Sequence, residues 1–278
     1  MTLEKKKIVP VLFWLISIMG IAFIPYIIID NILEYIFTNK KAYDVDMIES
    51  VVYTLLIIVI IMTKRFKGKK NLLQFKPFKI STVLKILLVD IATATLISWL
   101  VFRGFDYFTD RIQKTFVYFL NRFTGKESFT FYTIFRTHFK YTLWLALAEI
   151  IIVPVYEELI FRGLIYSKTK KLFNAKIAAI VSSLLFGLIH YTGGYLQVAA
   201  TMLGGLLNVY CYEKTKTLYA SILLHSLHNF MNGIMYAILD PRVYSMIHII
   251  CIPIGIIILI VESIRYLIKR KNILCKQE

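Results

Sequence analysis

Two adjacent glutamates and an arginine, Glu157, Glu158 and Arg162, stand in the stretch EELIFRG, inside a long apolar run. A charge at the centre of a membrane helix costs about 2.5–3.5 kcal/mol on insertion scales, so three of them need a reason. On an α-helix Glu158 and Arg162 are four apart, about 40° round the axis, and can pair. Glu157 is five from Arg162 and turned about 140° away, which leaves one carboxylate without a built-in cation. Downstream, Phe186 and His190 share a helix face in FGLIHY, and His225 and Asn229 share one in HSLHNF. His228 lies about 60° to the other side of His225. A carboxylate base, imidazoles beside it and donors for a developing oxyanion are the parts of a hydrolytic site. The plainer readings are an ion pair closing a span, a packed core histidine, and polar contacts between bundled helices.

The elements that must hold these residues are membrane helices. The chain has 278 residues, 58% of them hydrophobic, with mean hydropathy +0.67. Ordinary soluble domains run about 45–50% apolar. A span needs about 20 mostly apolar residues, and eight stretches meet this loosely: 8–30, 47–63, 82–102, 139–166, 175–191, 195–212, 217–239 and 243–268. The expected fold is therefore all-α, a polytopic transmembrane bundle of about eight spans. Three regions follow: N-terminal helices and an amphipathic connector over 1–138, a catalytic core over 139–240, and a last helix with a basic tail over 241–278. The apolar run after Lys5–Lys7 is too long for a signal peptide and lacks a small-x-small cleavage site, so it reads as a retained first span. The stretch 103–138 mixes aromatics with Arg111, Lys114, Arg122 and Lys126. It suits a helix lying on the membrane, a loop over the bundle, or a solvated linker.

The net charge of +16 gathers in short clusters between apolar runs, which makes it a topology signal and gives no reason to expect nucleic acid. Clusters at Lys5–Lys7, Lys64–Lys70, Lys168–Lys176, Lys214–Lys216 and Lys269–Lys271 fall on one side if eight spans alternate, while the loop near Asp44 is acidic. The positive-inside rule then puts both termini in the cytoplasm. Cys211, Cys251 and Cys275 show no paired spacing, which argues against disulfide frameworks and cysteine metal sites. On this layout Glu157 is roughly 14 Å, His225 roughly 12 Å and His190 roughly 21 Å from the cytoplasmic boundary, all in the middle part of a core about 30 Å thick. Glu149, Asp90 and His248 are further polar residues in the spans, read as packing or cavity-lining groups. Ala200, Gly204 and Gly205 suggest a close helix contact.

Glu-Glu-x-x-x-Arg, then Phe-x-x-x-His, then His-x-x-x-Asn, each on its own membrane helix, resembles the CAAX protease and bacteriocin-processing (CPBP or Abi) family of intramembrane proteases. The flanking Phe161-Arg162-Gly163 is similar too. The resemblance implies a helical core with a catalytic cavity opening into the membrane of a cell, here a bacterial one. It implies that Glu157 activates water with help from His190, that His225 and Asn229 stabilise the oxyanion, and that Glu158 and Arg162 hold the helix. The substrate would be a membrane-associated peptide or protein. The reading favours no cofactor, although Glu157, His190 and His225 could also offer Zn²⁺ one carboxylate and two imidazoles. The competing functions are a non-enzymatic membrane scaffold or bacteriocin self-immunity factor on the same fold, and a proton-coupled transporter that uses Glu and His as a relay.

Overall fold

The computed structural model describes residues 76–101, 147–191, 194–235, 239 and 241–274, with single positions at 20 and 52. The expected spans 8–30 and 47–63, the connector 103–138 and both termini lie outside the described residues. What is described is all-helical, with no strand. Helix α1 runs Ile80–Val101. Helix α2 spans 148–172 and changes winding three times: a π turn at Ala148–Ile152, an α segment at Val153–Glu158, a π segment at Leu159–Tyr166 and an α turn at Ser167–Leu172. Helix α3 is Ala175–Leu188 and α4 is Gly194–Thr215. Helix α5 is Leu218–Asn229, continued by a π turn at Phe230–Ile234, and α6 is the long Pro241–Leu274.

Local chemistry sets several of these boundaries. The Asn174 side chain caps α3 by accepting from the Ile177 N–H at 2.9 Å. Lys216, at φ 58°, closes α4 in a left-handed turn, and its N–H bonds the Tyr212 carbonyl at 2.7 Å. Pro154 explains the first π turn and its use. The Val153 N–H reaches back five residues to Ala148, so the next donor in that register would serve Glu149. That donor is Pro154, which has no N–H, and the Glu149 carbonyl is left for another partner.

Of three apolar clusters among the described residues, two flank the polar groups. Leu159, Phe161, Leu164 and Ile165 of α2 pack on Phe186 of α3 and Leu218 of α5. Val83, Ile86, Leu87 and Ile91 of α1 pack on Cys211, Leu224 and Cys251 from α4, α5 and α6. Close approaches let the helices meet. A Cβ on Gly187 would lie 2.6 Å from the Val198 carbonyl oxygen, and one on Gly205 would lie 3.1 Å from Ser183 Cα, so α3 and α4 touch through glycine. The expected small-residue contact of span six is thus present at Gly205, and Gly204 faces Asp90.

Two described helices are long and apolar enough to cross a membrane, at Ile80–Ile97 and Val243–Lys269. The second is only 17% buried, with Ile250, Ile257, Ile260 and Ile264 all exposed. An apolar face of that extent belongs against lipid or a partner, not water. The stretch expected as a fifth span is shorter as a helix. It ends at Leu188 after 14 residues, about 21 Å, and His190 lies in the turn beyond. Two of the expected spans are thus present among the described residues as helices long enough to cross a membrane.

The basic clusters converge. Lys170 of α2 meets Glu213 of α4 at 2.7 Å, and Lys214 of α4 meets Glu262 of α6 at 2.9 Å. The start of α1 lies at the same end, with Thr82 and Lys85 across a cleft from Lys214 and Arg265.

Candidate active site

Glu158 is fully buried, and every direction around it is used. Arg162 Nη1 stands 2.9 Å from its Oε1, as the four-residue spacing predicts. The Ser221 hydroxyl donates to Oε2 at 2.5 Å, and His225 Nδ1 donates to Oε1 at 3.1 Å. Arg162, also fully buried, donates from Nη2 to the Gly205 carbonyl at 3.0 Å and lies over the Phe186 ring at 4.6 Å. The small Gly205 lets α4 come close enough to offer that carbonyl. Arg162 thereby ties α2 to α4, and Glu158 ties α2 to α5.

Glu157 is different although it is the next residue. It is 6% exposed, and its Oε2 has no hydrogen-bond partner. His225 Nε2 stands 3.6 Å from that oxygen. His225 thus stands between the two glutamates: one ring nitrogen serves Glu158 and the other faces Glu157. With the Nδ1 proton committed to Glu158, Nε2 presents a lone pair toward Glu157 in the neutral ring. Sequence spacing predicted that Glu157 turns away from Arg162, and it does. It did not predict that Glu158 orients His225.

His190 joins through Phe186. Its Nδ1 donates to the Phe186 carbonyl at 2.8 Å, which leaves Nε2 as the acceptor in the neutral ring. The rings of His190 and His225 both stand edge-on to Phe186, at 5.0 and 5.6 Å between centroids. Phe186 is thus the hub of the site, packed on Phe161 at 5.1 Å as well. Asn229 spends one amide N–H on the Glu149 carbonyl at 2.7 Å, the acceptor that Pro154, without an N–H, does not serve. That bond fixes the end of α5 against the first turn of α2, and the second N–H of the amide remains for other work.

Among the described residues no three His, Cys, Asp or Glu side chains converge as a metal-holding group.

A second polar network lies on the other side of α5. His228 Nδ1 pairs with Asp90 of α1, a carboxylate 4% exposed. Asn232 Nδ2 donates to His228 Nε2 at 3.1 Å, and its Oδ1 accepts from the Tyr244 hydroxyl of α6 at 3.2 Å. His248 Nε2 stands 3.4 Å from the same oxygen. These partners account for His228, Asp90 and His248, which sequence reading left without one. The one available signal was their polarity inside apolar spans.

With this geometry in hand, likeness to known proteins carries weight. Residues 139–231 match the family described as type II CAAX prenyl endopeptidase Rce1-like, and all three motifs fall inside that segment. The match agrees with the resemblance read from the motifs, and the likeness is confined to that third of the chain. Over 90 residues the chain is 33% identical to the UPF0177 protein YxdF of Lactococcus lactis, which covers 32% of this chain and 49% of that protein. Over 79 residues it is 30% identical to a Bacillus subtilis protein named "Putative membrane peptidase YdiL", covering 28% of this chain and 32% of that one. The chain thus spans about half the length of the first relative and a third of the second. No solved structure matches.

Proposed function

We propose that the protein is an intramembrane endopeptidase that hydrolyses a peptide bond in a membrane-associated peptide or protein, with Glu157 as the base for water. The observation that carries this reading is the contrast between two neighbours. Glu158 is saturated by Arg162, Ser221 and His225, whereas Glu157 Oε2 is buried without a hydrogen-bond partner and faces an imidazole. Leaving a buried polar atom unpaired costs about 1–3 kcal/mol, more for a charge. Arg162, Tyr166, Thr169, Ser183 and Thr217 also carry such atoms, but among the described residues Glu157 alone is a carboxylate in that state, and it faces an imidazole. The family of the segment 139–231 and the name of the Bacillus relative support a peptidase.

The chemistry runs as follows. The Glu157–His225 pair carries one proton, so with Glu158 and Arg162 the buried cluster sums to zero net charge. With Glu157 as carboxylate, Oε2 takes a proton from water as the water oxygen bonds the scissile carbonyl carbon and the C=O π electrons move onto oxygen. The proton then on His225 Nε2 is donated to that oxyanion, and the free N–H of Asn229 is a second donor. Glu157 passes its proton to the departing nitrogen as the C–N bond breaks, and the hydroxyl formed from the oxyanion returns its proton to His225 Nε2 as the C=O re-forms, giving an acid, an amine and the starting Glu157–His225 pair. Glu158 holds His225 in the required orientation, as second partners do for catalytic imidazoles. His190 presents Nε2 beside Phe186 and assists the water. The substrate would be cut near the cytoplasmic half of the bilayer.

The multi-pass layout with both termini in the cytoplasm belongs to the same proposal. The meeting of Lys170, Lys214, Lys85 and Arg265 at one end supports it. External labelling should modify a cysteine placed at position 44 and spare one at 67; the reverse pattern would refute the orientation. For the activity, N-terminal labelling of membranes from cells carrying wild type or Glu157→Gln should reveal new N-termini only with the wild type. Identical sets of N-termini would count against a protease.

A further inference from the structure

Away from the glutamates, α1, α4 and α6 enclose a cleft of about 870 Å³ at the basic end of the molecule. Its origin is geometric. A Cβ on Gly255 would lie 2.5 Å from Ala92 Cβ and 3.0 Å from the Leu88 carbonyl oxygen, so α6 and α1 are in backbone contact there. Toward the basic end from that crossing, Tyr210 and Lys214 of α4 form the third wall. Ile86, Val89, Leu207, Ile258 and Leu259 make an apolar lining. The cations stand among them: Lys85 from α1, Lys214 from α4 and Arg265 from α6.

The charges do not cancel. Glu262 is the only acid in the lining, and it takes both Lys214 and Arg265 at 2.9 Å. Three cations against one carboxylate leave a net charge of +2. Lys85 has no ion-pair partner among the described residues, yet it sits inside the apolar stretch Ile80–Ile97. It is exposed and is the sixth residue of α1, at the basic end, where its stem can lie along apolar surface while the ammonium meets a headgroup anion. A volume of about 300–1,000 Å³ with apolar walls and few polar groups is the ordinary form of a small-molecule site.

We propose that this cleft binds an anionic phospholipid, with the phosphate held by Lys85, Lys214 and Arg265 and the upper acyl chains laid on Ile86, Val89 and Ile258. Basic pockets between membrane helices on the cytoplasmic side suit acidic headgroups for this reason. Tyr210 and Tyr266 at the rim have the amphipathic form favoured at the headgroup level. The site lies on α1 and α6 as well as α4, so two of its three walls fall outside the segment shared with the peptidase family. It requires membrane placement only and stands whether or not the chain cuts peptides.

The test is native mass spectrometry of the full chain released from nanodiscs that mix phosphatidylglycerol with phosphatidylcholine. The wild type should retain one phosphatidylglycerol in preference to phosphatidylcholine. Lys85→Ala should weaken that retention about fivefold, and Lys85→Ala with Arg265→Ala about 25-fold, at roughly one fivefold factor per cation. Lys176→Ala, an exposed residue at the start of α3, should change nothing. Val89→Trp fills the cleft without touching charge and should expel the lipid, which separates the site from general attraction to a basic face. Equal retention of the two lipids would overturn the proposal. So would equal losses in Lys85→Ala and Lys176→Ala, or displacement of the lipid by millimolar inorganic phosphate, since the last outcome describes an anion site without acyl contacts.

Discussion

Glu158→Gln should behave as a stability mutation first. The change removes one charge and keeps the shape. Arg162 then remains fully buried with the Gly205 carbonyl as its hydrogen-bond acceptor and the Phe186 ring beneath it. Breaking one partner of a buried ion pair costs about 3–5 kcal/mol, because the remaining charge stays out of water. Neither Glu158 nor Arg162 is exposed to solvent at all, so screening gives no relief and the full range applies. At about 2–4 °C per kcal/mol for a chain of this size, the midpoint of thermal unfolding should fall by on the order of 10 °C. Adding Arg162→Met removes the stranded charge and should recover more than half of the loss, since apolar replacements of buried pairs are often neutral or better. Glu157→Gln, by contrast, removes a group with an unpartnered oxygen and should leave the midpoint within a degree or two of wild type. The assay is thermal unfolding of purified protein in one detergent, followed by tryptophan fluorescence. If Glu158→Gln melts with the wild type while Glu157→Gln collapses, the structural and chemical roles are reversed. If the double variant is worse than the single, the charge argument itself fails.

Other consequences follow from particular contacts. Asp90→Asn should weaken the link from α1 to α5 by about 1.5–3 kcal/mol, the range for a hydrogen bond to a charged group, and lower the unfolding midpoint accordingly; an unchanged midpoint would show that the His228 pair is idle. Glu213 lies at the basic end, where burial pushes its carboxyl up but the hydrogen bonds from Lys170 and Lys216 outweigh that and hold it at about 2, below its usual 4.5. A depressed pKa contributes stability above the unfolded value and loses it as pH falls. Glu213→Gln should therefore be less stable than wild type at pH 7, and the gap should close between about pH 4.5 and pH 2; a gap independent of pH would refute the linkage. Cleavage should survive strong chelation, whereas stoichiometric zinc whose removal abolishes activity and whose return restores it would require a metal mechanism.

Much of the site was legible because helix geometry acts locally. A spacing of four from Glu158 to Arg162 is enough to pair them, and a spacing of five from Glu157 to Arg162 is enough to part Glu157 from the cation. The three motifs also marked which helices must meet. What the spacing could not give was the meeting itself. His225 is bonded by Glu158 and faces Glu157 because α5 crosses α2 at one particular height, and that depends on side chains far apart in sequence, Ser221 and Gly205 among them. The π segments left little trace. Pro154 was the clearest hint, and its effect on the Glu149 carbonyl emerges only when the hydrogen-bond register is known. His190 was expected inside a membrane helix beside Glu157. The helix stops at Leu188, and the imidazole is held by the Phe186 carbonyl in the following turn. Asp90 and His228 were visible as misplaced polar residues, but 138 positions separate them, and no periodic pattern joins two helices at that distance.

The central claim is that Glu157 does chemistry and Glu158 holds the structure. The most direct measurement is the single-turnover rate per folded molecule in liposomes, on a peptide identified by the N-terminal labelling above, for wild type, Glu157→Gln and Glu158→Gln. The account predicts that Glu157→Gln is folded, inserted and inert, because Gln keeps the shape and cannot accept the water proton. It predicts that the folded fraction of Glu158→Gln still cleaves, more slowly, because His225 has lost its carboxylate partner. Normal cleavage by Glu157→Gln would contradict the account.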